Sequence, residues 1–438
     1  MKRKRILLVT IGMIFVLLVG TILYSALRDD DPYRYYTGLG EEISVAPDDS
    51  QIAFSYYVDG EEAIYTANPD GSDVEQIAGA ADRQDSAPKY SSDGQNIAYL
   101  SEDSEGMNIL QVMNQDGSEE KQLTDNSIHV MDSVFSNDGE PLFFVAIDAE
   151  GFNQREGSES SAGFDLFSVK TDGSDMENLT DADYSSMDHP SLSPDGQMIY
   201  FSAFDGEKEQ VFSYSLEDGA VNENPSIVSE EIANSQSFNK PQFSPNGEQL
   251  AFTDVSEETQ DSSLFEYELF LLDIDSQDVE RLTNLGTAVN SPVFFHEENT
   301  IAFLENTNWP SEPAEQQLRA IDMATHDIEP IELDAPQPTD NHLFMQLLDR
   351  AVNSLTLAIL YTFMMSLLSV YLLHYAGRAY LASIISFSVA IIVLAVSFAV
   401  AAIGDPWFGI GLGMLAVGIF GCSIIVLLFI LIYKRFVK

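Results

Sequence analysis

The sequence predicts an all-β propeller of six four-stranded blades, with one apolar helix before it and three after it. Two observations predict this: a turn-and-strand phrase that recurs six times at blade-length spacing, and four uncharged apolar runs confined to the two ends. A third, the charge, separates the two kinds of segment. Between residues 28 and 350 stand 12 Lys and Arg against 69 Asp and Glu, a net charge of −57. Neutralising phosphates takes clustered Lys and Arg, so no nucleic acid partner is expected for this segment. Self-repulsion at such a charge is relieved by cations or salt, which suits a saline or alkaline exterior.

The phrase reads "APDDSQIAF" (46–54), "SSDGQNIAYL" (91–100), "SNDGEPLFFV" (136–145), "SPDGQMIYFS" (193–202), "SPNGEQLAFT" (244–253) and "FHEENTIAFL" (295–304). Its turn-glycine column falls at Asp49, Gly94, Gly139, Gly196, Gly247 and Glu298, with spacings of 45, 45, 57, 51 and 51. Each copy is followed by a second half, such as "IYTANPDGSDVEQI" (64–77), "ILQVMNQDGSEEKQLT" (109–124), "LFSVKTDGSDMENLT" (166–180) and "LFLLDIDSQDVERLT" (269–283). The fourth copy departs after "FSYSLEDGA" (212–220), and the sixth, "LRAIDMATHDIEPIEL" (318–333), has lost its glycine. Alternating apolar residues make each short strand half-buried, and Asp-Gly or Asn-Gly supplies the positive φ of a tight hairpin. A lone four-stranded sheet leaves both faces wet; stacked radially, such sheets bury them and expose few edges.

These residues resemble the TolB-like six-bladed β-propellers, whose blades carry the phrase fSPDG-x-x-Ile-Ala-Phe, then Asp-x-Asp-Gly and a closing Leu-Thr. Gly94, Gly139, Gly196, Gly247, Gly71, Gly117, Gly173 and Gly219 occupy the turns, and Leu123-Thr124, Leu179-Thr180 and Leu282-Thr283 close blades. The match covers about two thirds of the chain. The resemblance implies an exported protein-binding module or the substrate-gating propeller of a peptidase. The first and last copies depart most from the pattern, so which strands close the ring stays open.

Ile6–Leu27 is 22 residues without a charge, preceded by "MKRKR". Leu355–Tyr375, Leu381–Ile403 and a run from about Phe408 to Tyr433 are similar, and about 20 apolar residues suffice to cross a bilayer. Basic residues set the orientation. "MKRKR", Arg378 and "YKRFVK" place both termini in the cytoplasm, while "GDPWFG" (404–409) and the acidic segment lie outside. A cleaved signal would put bulky Tyr24 at the −3 position, so the first run is expected to stay as an anchor. The expected layout is thus 1–28 cytoplasmic tip and anchor, 29–41 linker, 42–335 propeller, 336–354 linker and 355–438 three spanning helices. The only cysteine, Cys422, lies in the last apolar run and excludes an intramolecular disulfide. Gly409 and Gly413 form a Gly-x-x-x-Gly, with Gly418 and Cys422 at the same spacing; such small residues suit close helix packing, in this bundle or against a partner's helix.

For catalysis, a related peptidase would need a Gly-x-Ser-x-Gly elbow with a later Asp and His. The nearest string, "GSESSAG" (157–163), has the wrong spacing, and only helices follow the sixth repeat. No catalytic residue is assigned, and the chain is expected not to be an enzyme. The six histidines are scattered without zinc-type spacing; His189 and His296 flank blade turns and read as surface residues. No metal site and no cofactor are expected, calcium being the one ion the turns "NPDGSD" (68–73) and "TDGSD" (171–175) could touch. The irregularities worth most are three long second-to-third-strand loops, 148–163, 254–268 and 305–317, which equivalent topology places on one face. Phe152, Arg155, Phe265, Tyr267 and Trp309 in them are the residue types that binding hot spots favour. The expected function is a membrane-anchored scaffold that binds a protein, peptide or wall polymer outside the cell, with a possible helix partner in the bilayer. The alternatives are a calcium-dependent propeller hydrolase and an assembly subunit of an envelope complex.

Overall fold

The fold is that of a computed structural model, which describes the chain except residues 1, 29–30, 81–82, 156–162, 205–208, 224, 226, 228–237, 405 and 438. It divides into a helical unit, residues 1–31 with 341–438, and a β-domain, Pro32–Asp340.

In the β-domain the described strands pair as six antiparallel runs of four, each contiguous in sequence. They are β1–β4 (Gly38–Val45, Ile52–Val58, Glu61–Ala67, Glu75–Ala78), β5–β8 (Gln84–Tyr90, Asn96–Glu102, Asn108–Asn114, Lys121–Gln122) and β9–β12 (Ile128–Phe135, Leu142–Asp148, Asp165–Val169, Glu177–Asn178). The other three are β13–β16 (Met187–Leu192, Met198–Phe204, Glu209–Ser215, Val221–Asn222), β17–β20 (Asn239–Phe243, Gln249–Val255, Tyr267–Asp273, Val279–Arg281) and β21–β24 (Ala288–Phe294, Thr300–Asn306, Gln316–Asp322, Ile328–Pro330). A short helix, α2 (Ala149–Arg155), follows β10. The first strands of the sheets neighbour one another in the cycle β1, β5, β9, β13, β17, β21 and back to β1.

Each conserved-looking phrase within the chain has a mechanical reason. In the first hairpin turn of the fourth sheet, Ser193 Oγ donates to Asp195 Oδ1 at 2.6 Å and accepts from the Met198 N–H at 2.9 Å. The same device recurs at Ser91 and, with Asn246 in place of Asp, at Ser244. The glycine of the later Asp-Gly turn serves packing as well as conformation. At Gly117, φ is +78° and a Cβ would lie 2.4 Å from the Ile77 carbonyl oxygen of the first sheet. The closing Leu-Thr buries its leucine, while Thr124, Thr180 and Thr283 accept the N–H of Leu110, Leu166 and Leu269 at 2.9 Å. Buried Thr180 therefore does structural work in its "NLT" triplet.

The core lies between the sheets. One apolar cluster fills each interface in turn, from the first and second sheets around to the sixth and first. At the last of these seams no strand is exchanged. Leu39 of β1 pairs with Gln316 of β23, Ser291 Oγ donates to the Glu41 carbonyl at 2.6 Å, and the N–H groups of His296 and Glu297 both donate to Asp49 at 2.7 Å. Ile331, Leu333 and Ala335 then run over the first sheet. Entry and exit of the domain meet at one turn: the Asp59 N–H donates to Thr37 Oγ1 at 3.0 Å, and Asp59 Oδ2 accepts from the Thr339 and Asp340 N–H groups at 2.7 and 3.1 Å. β1 begins inside the stretch the sequence reads as a linker, and Tyr33 and Tyr36 of that stretch pack on Tyr57.

The helical unit holds α1 (Lys2–Leu27), α3 (Leu343–Ala351), α4 (Ser354–Ala376), α5 (Leu381–Ile403) and α6 (Pro406–Val437). Four of these, all but α3, are long and apolar enough to cross a membrane. The α3 helix was not expected; it occupies the segment read as the second linker. Asn353 caps α4 by accepting from the Thr356 N–H at 2.9 Å, and Gly377 ends that helix with φ +65°.

Candidate functional site

The six first strands each carry a register shift opposite their second strand, at the same place in the repeat. A bulge re-aims a side chain. Four of these shifts contain a non-glycine residue at positive φ directly before a proline: Ala87 (52°), His189 (54°), Lys240 (52°) and Ser291 (47°). Counting seven residues back from each turn position gives Glu42, Ala87, Asp132, His189, Lys240 and Ser291, one from every sheet. All but Ala87 are polar, and where the second sheet places alanine, Lys89 supplies the charge. Glu42, Lys89, Asp132, His189, Lys240 and Ser291 line a cavity of about 230 Å³ that also meets the turn residues Ser92, Asn137, Pro245 and His296.

Glu42 sits between two ammonium groups, bonded to Lys240 and 3.2 Å from Lys89. Lys89 reaches on to Asp132 at 3.5 Å, and the His189 ring lies 3.6 Å from Asp132 and 3.7 Å from Asp188. Lys240 also donates to Ser291 Oγ at 3.2 Å. The side chains of Glu42, Lys89, Lys240 and His189 are only 17–21% exposed. Burial opposes ionisation of Glu42, yet Lys240 and Lys89 outweigh it and hold the carboxyl well below its ordinary range. Burial likewise works against the charge on Lys89, Lys240 and His189; Asp132 and Glu42, then Glu42, then Asp188 and Asp132, respectively, push them up instead. Asp188 is pushed up, by burial first and by Asp132. The site is therefore a ring of paired charges of both signs. Asp132, Asp188 and His189 offer metal-ligand atoms within 4.8 Å of one another, but two ammonium groups already face the same carboxylates, which counts against calcium there.

His189 corrects the reading of it as a surface histidine, because the bulge turns it into the cavity. The turn-based alignment missed the ring, although its signal was present as a column of polar residues seven positions before each turn.

Among the described residues, the expected binding residues make their contacts in two groups. Trp309 and Phe265, both 37% exposed, meet where the Trp309 indole N–H donates to the Phe265 carbonyl at 2.7 Å, and Tyr267 stands edge-on to Trp309 at 6.0 Å. Phe152 stacks at 3.8 Å on His129 of its own sheet, whose ring burial holds neutral at a pKa of about 4. Arg155 ends α2, and its side chain lies outside the described residues, as do 157–162 of the "GSESSAG" string. In the bundle, a Cβ at Gly409 would lie 2.5 Å from that of Ala401 in α5, and one at Gly413 would be 3.1 Å from Ser397 Oγ; at Gly418 it would meet nothing. Gly409 and Gly413 are thus spent on packing within this chain.

Residues 37–224 match the family model of the TolB beta propeller domain. The chain is 26% identical over 231 residues to the "Uncharacterized peptidase YuxL" of Bacillus subtilis (strain 168), a match spanning 50% of this chain and 30% of that protein. Among solved structures it is similar to TolB from Acinetobacter baumannii (TM-score 0.51, 15% identity, 67% of this chain and 66% of that one). It is also similar to a puromycin hydrolase S511A mutant complexed with PGG (TM-score 0.48, 13% identity, 72% and 57%). The curated relative corrects the expectation that the chain is not an enzyme: it is itself named a peptidase, and absence of a serine elbow from this sequence is no sound ground for excluding catalysis. The chain spans less than a third of that peptidase's length. On the repeat, the strand pairing and the matched residues 37–224, the β-domain is similar in fold to the TolB-like β-propellers.

Proposed function

We propose that the chain holds a closed, six-bladed TolB-like propeller on the outer side of a membrane, and that the propeller binds a protein or peptide at the charged end of its channel. The observation that carries this reading is the ring itself: Glu42, Lys89, Asp132, His189, Lys240 and Ser291, one polar residue from each sheet, around a 230 Å³ cavity. Charges of both signs at fixed positions suit a peptide, which brings backbone dipoles and charged side chains together. A peptide is also what the name of the curated relative, a peptidase, gives as that protein's substrate class. The wall polymer of the sequence-based expectation has no such support. The outer placement rests on "MKRKR", Arg378 and "YKRFVK" at the ends of the four apolar helices.

Full-length protein in lipid nanodiscs, probed with a random-sequence peptide array, tests the site. Lys240→Ala and Asp132→Asn are expected to weaken the captured peptides at least tenfold, whereas Asp172→Ala on an outer turn leaves them unchanged. Equal binding by all four proteins would refute the channel end as the site. Protease added to intact cells is expected to digest the propeller; its protection would overturn the outer placement. The peptidase relative favours a second reading, cleavage of the bound peptide, and mass spectrometry of the captured peptides decides it.

A further inference from the structure

The α3 helix is nine residues long, Leu343–Ala351, and none of its side chains is buried. Its sequence, "LFMQLLDRA", divides into three arcs at about 100° per residue. Leu343, Phe344 and Leu347 share one arc and are 60%, 73% and 62% exposed. Gln346 and Arg350 share the next, also exposed. Met345, Leu348 and Asp349 fill the third and are half-buried. Solvent alone would not favour three large exposed apolar side chains on so short a helix.

Where α3 lies along the chain says what covers that arc. Only Val352 and Asn353 separate it from α4, and Asn353 belongs to both helices, donating to the Arg350 carbonyl at 2.9 Å while capping α4. The extended backbone at Asn353 (φ −135°, ψ 171°) prevents α3 from continuing α4 as one rod. At the same level the last turn of α1 reaches it: Tyr24 donates to Asp349 at 2.6 Å and the Arg28 guanidinium to the Val352 carbonyl at 3.2 Å. Two apolar helices therefore terminate against α3, which fixes it at the edge of the hydrocarbon layer. An apolar arc beside a polar arc, on a helix too short and too mixed to span, is the pattern of a helix lying in the headgroup–acyl boundary.

We propose that α3 is an interfacial helix whose Leu343, Phe344 and Leu347 insert into the lipid surface beside the spanning helices. The occupant of this face is lipid, because the face continues the apolar exteriors of α1 and α4, themselves exposed at Leu23, Leu27 and Leu355.

Spin labels report it in the full chain. In a Cys422→Ser background, single labels are placed through Leu343→Cys, Phe344→Cys, Leu347→Cys, Gln346→Cys and Arg350→Cys, and the protein is reconstituted in phosphatidylethanolamine–phosphatidylglycerol vesicles. Collision with oxygen, which concentrates in lipid, is expected to exceed collision with a water-soluble nickel chelate at 343, 344 and 347, and to fall below it at 346 and 350. Nickel-dominated collision at all five positions places α3 in water and overturns the proposal. So does inaccessibility of the three apolar positions to both reagents, which means protein covers them. Five labels spread over one helix keep the pattern readable if any single variant fails to fold.

Discussion

Glu62 and Glu42 show how neighbours decide the fate of a buried carboxyl. Glu42 meets two lysines and is held ionised. Glu62, on β3 and 8% exposed, lies beside Ser55 and Tyr57 and, among the described residues, meets no cation; burial, followed by Glu41 and Glu102, outweighs these neighbours and raises its pKa to about 7. A folded-state pKa above the ordinary 4.5 means the stabilising contribution is complete below pH 4.5 and is lost as pH climbs to about 7. Glu62→Gln keeps the shape without the charge, so it is expected to match the wild type at pH 4.5 and to be more stable at pH 8, by at most roughly 3 kcal/mol at ~1.4 kcal/mol per pKa unit. Thermal unfolding of the full-length protein at the two pH values checks this; a gain that does not grow with pH refutes it. At this scale the sequence was read least well. Alternation tells which side chains enter a sheet interface, but Glu42, Asp132, His189 and Lys240 point along neither face of an ordinary strand, because a bulge turns them. A bulge has no signal in apolar periodicity; here its trace is the proline after Ala87, His189, Lys240 and Ser291.

Among the elements, the hairpins were legible because each turn has a chemical requirement that the residues state: a serine hydroxyl to hold the aspartate, a glycine for positive φ, a threonine to take a stray N–H. The short helices were not. At seven residues α2 is below two turns, too brief for a 3.6-residue period to stand out, and its one clue is Asp148, whose carboxylate accepts the Gly151 N–H at 2.6 Å as a helix start does. In the bundle, the glycine spacing was legible but its use was not, since the same spacing serves an internal or an external neighbour. The structure distinguishes them by contact. Gly409→Leu is expected to force α5 and α6 apart at Ala401, whereas Gly418→Leu, with open space before it, is expected to be silent. Cys422, buried and the only thiol, is the reporter: its labelling by a maleimide dye in mild detergent should quicken several-fold for the first variant and stay at the wild-type rate for the second. Equal rates for both would refute the internal role of Gly409.

For the whole molecule, the repeat made the runs of four strands legible, and the charge shows the strain they work against. With 12 basic and 69 acidic residues between 28 and 350, like-charge repulsion dominates the long-range field, while the favourable pairs around Glu42 are sheltered in the cavity and little screened. The melting temperature of the propeller is therefore expected to rise between 20 mM and 1 M NaCl, each kcal/mol gained showing as about 2–4 °C; a fall would mean that the ion pairs outweigh the repulsion. What no repeat could reveal is how the first and last runs of strands meet, because the first and last copies are the ones whose sequence drifts. Asp59 bears on that, receiving the incoming chain through Thr37 and the outgoing chain through Thr339 and Asp340. A pull on either tether thus reaches the same hairpin of the first sheet. The domain is in effect a cartridge, with its two cut ends a hydrogen bond apart, ready to be lifted from one anchor and seated on another.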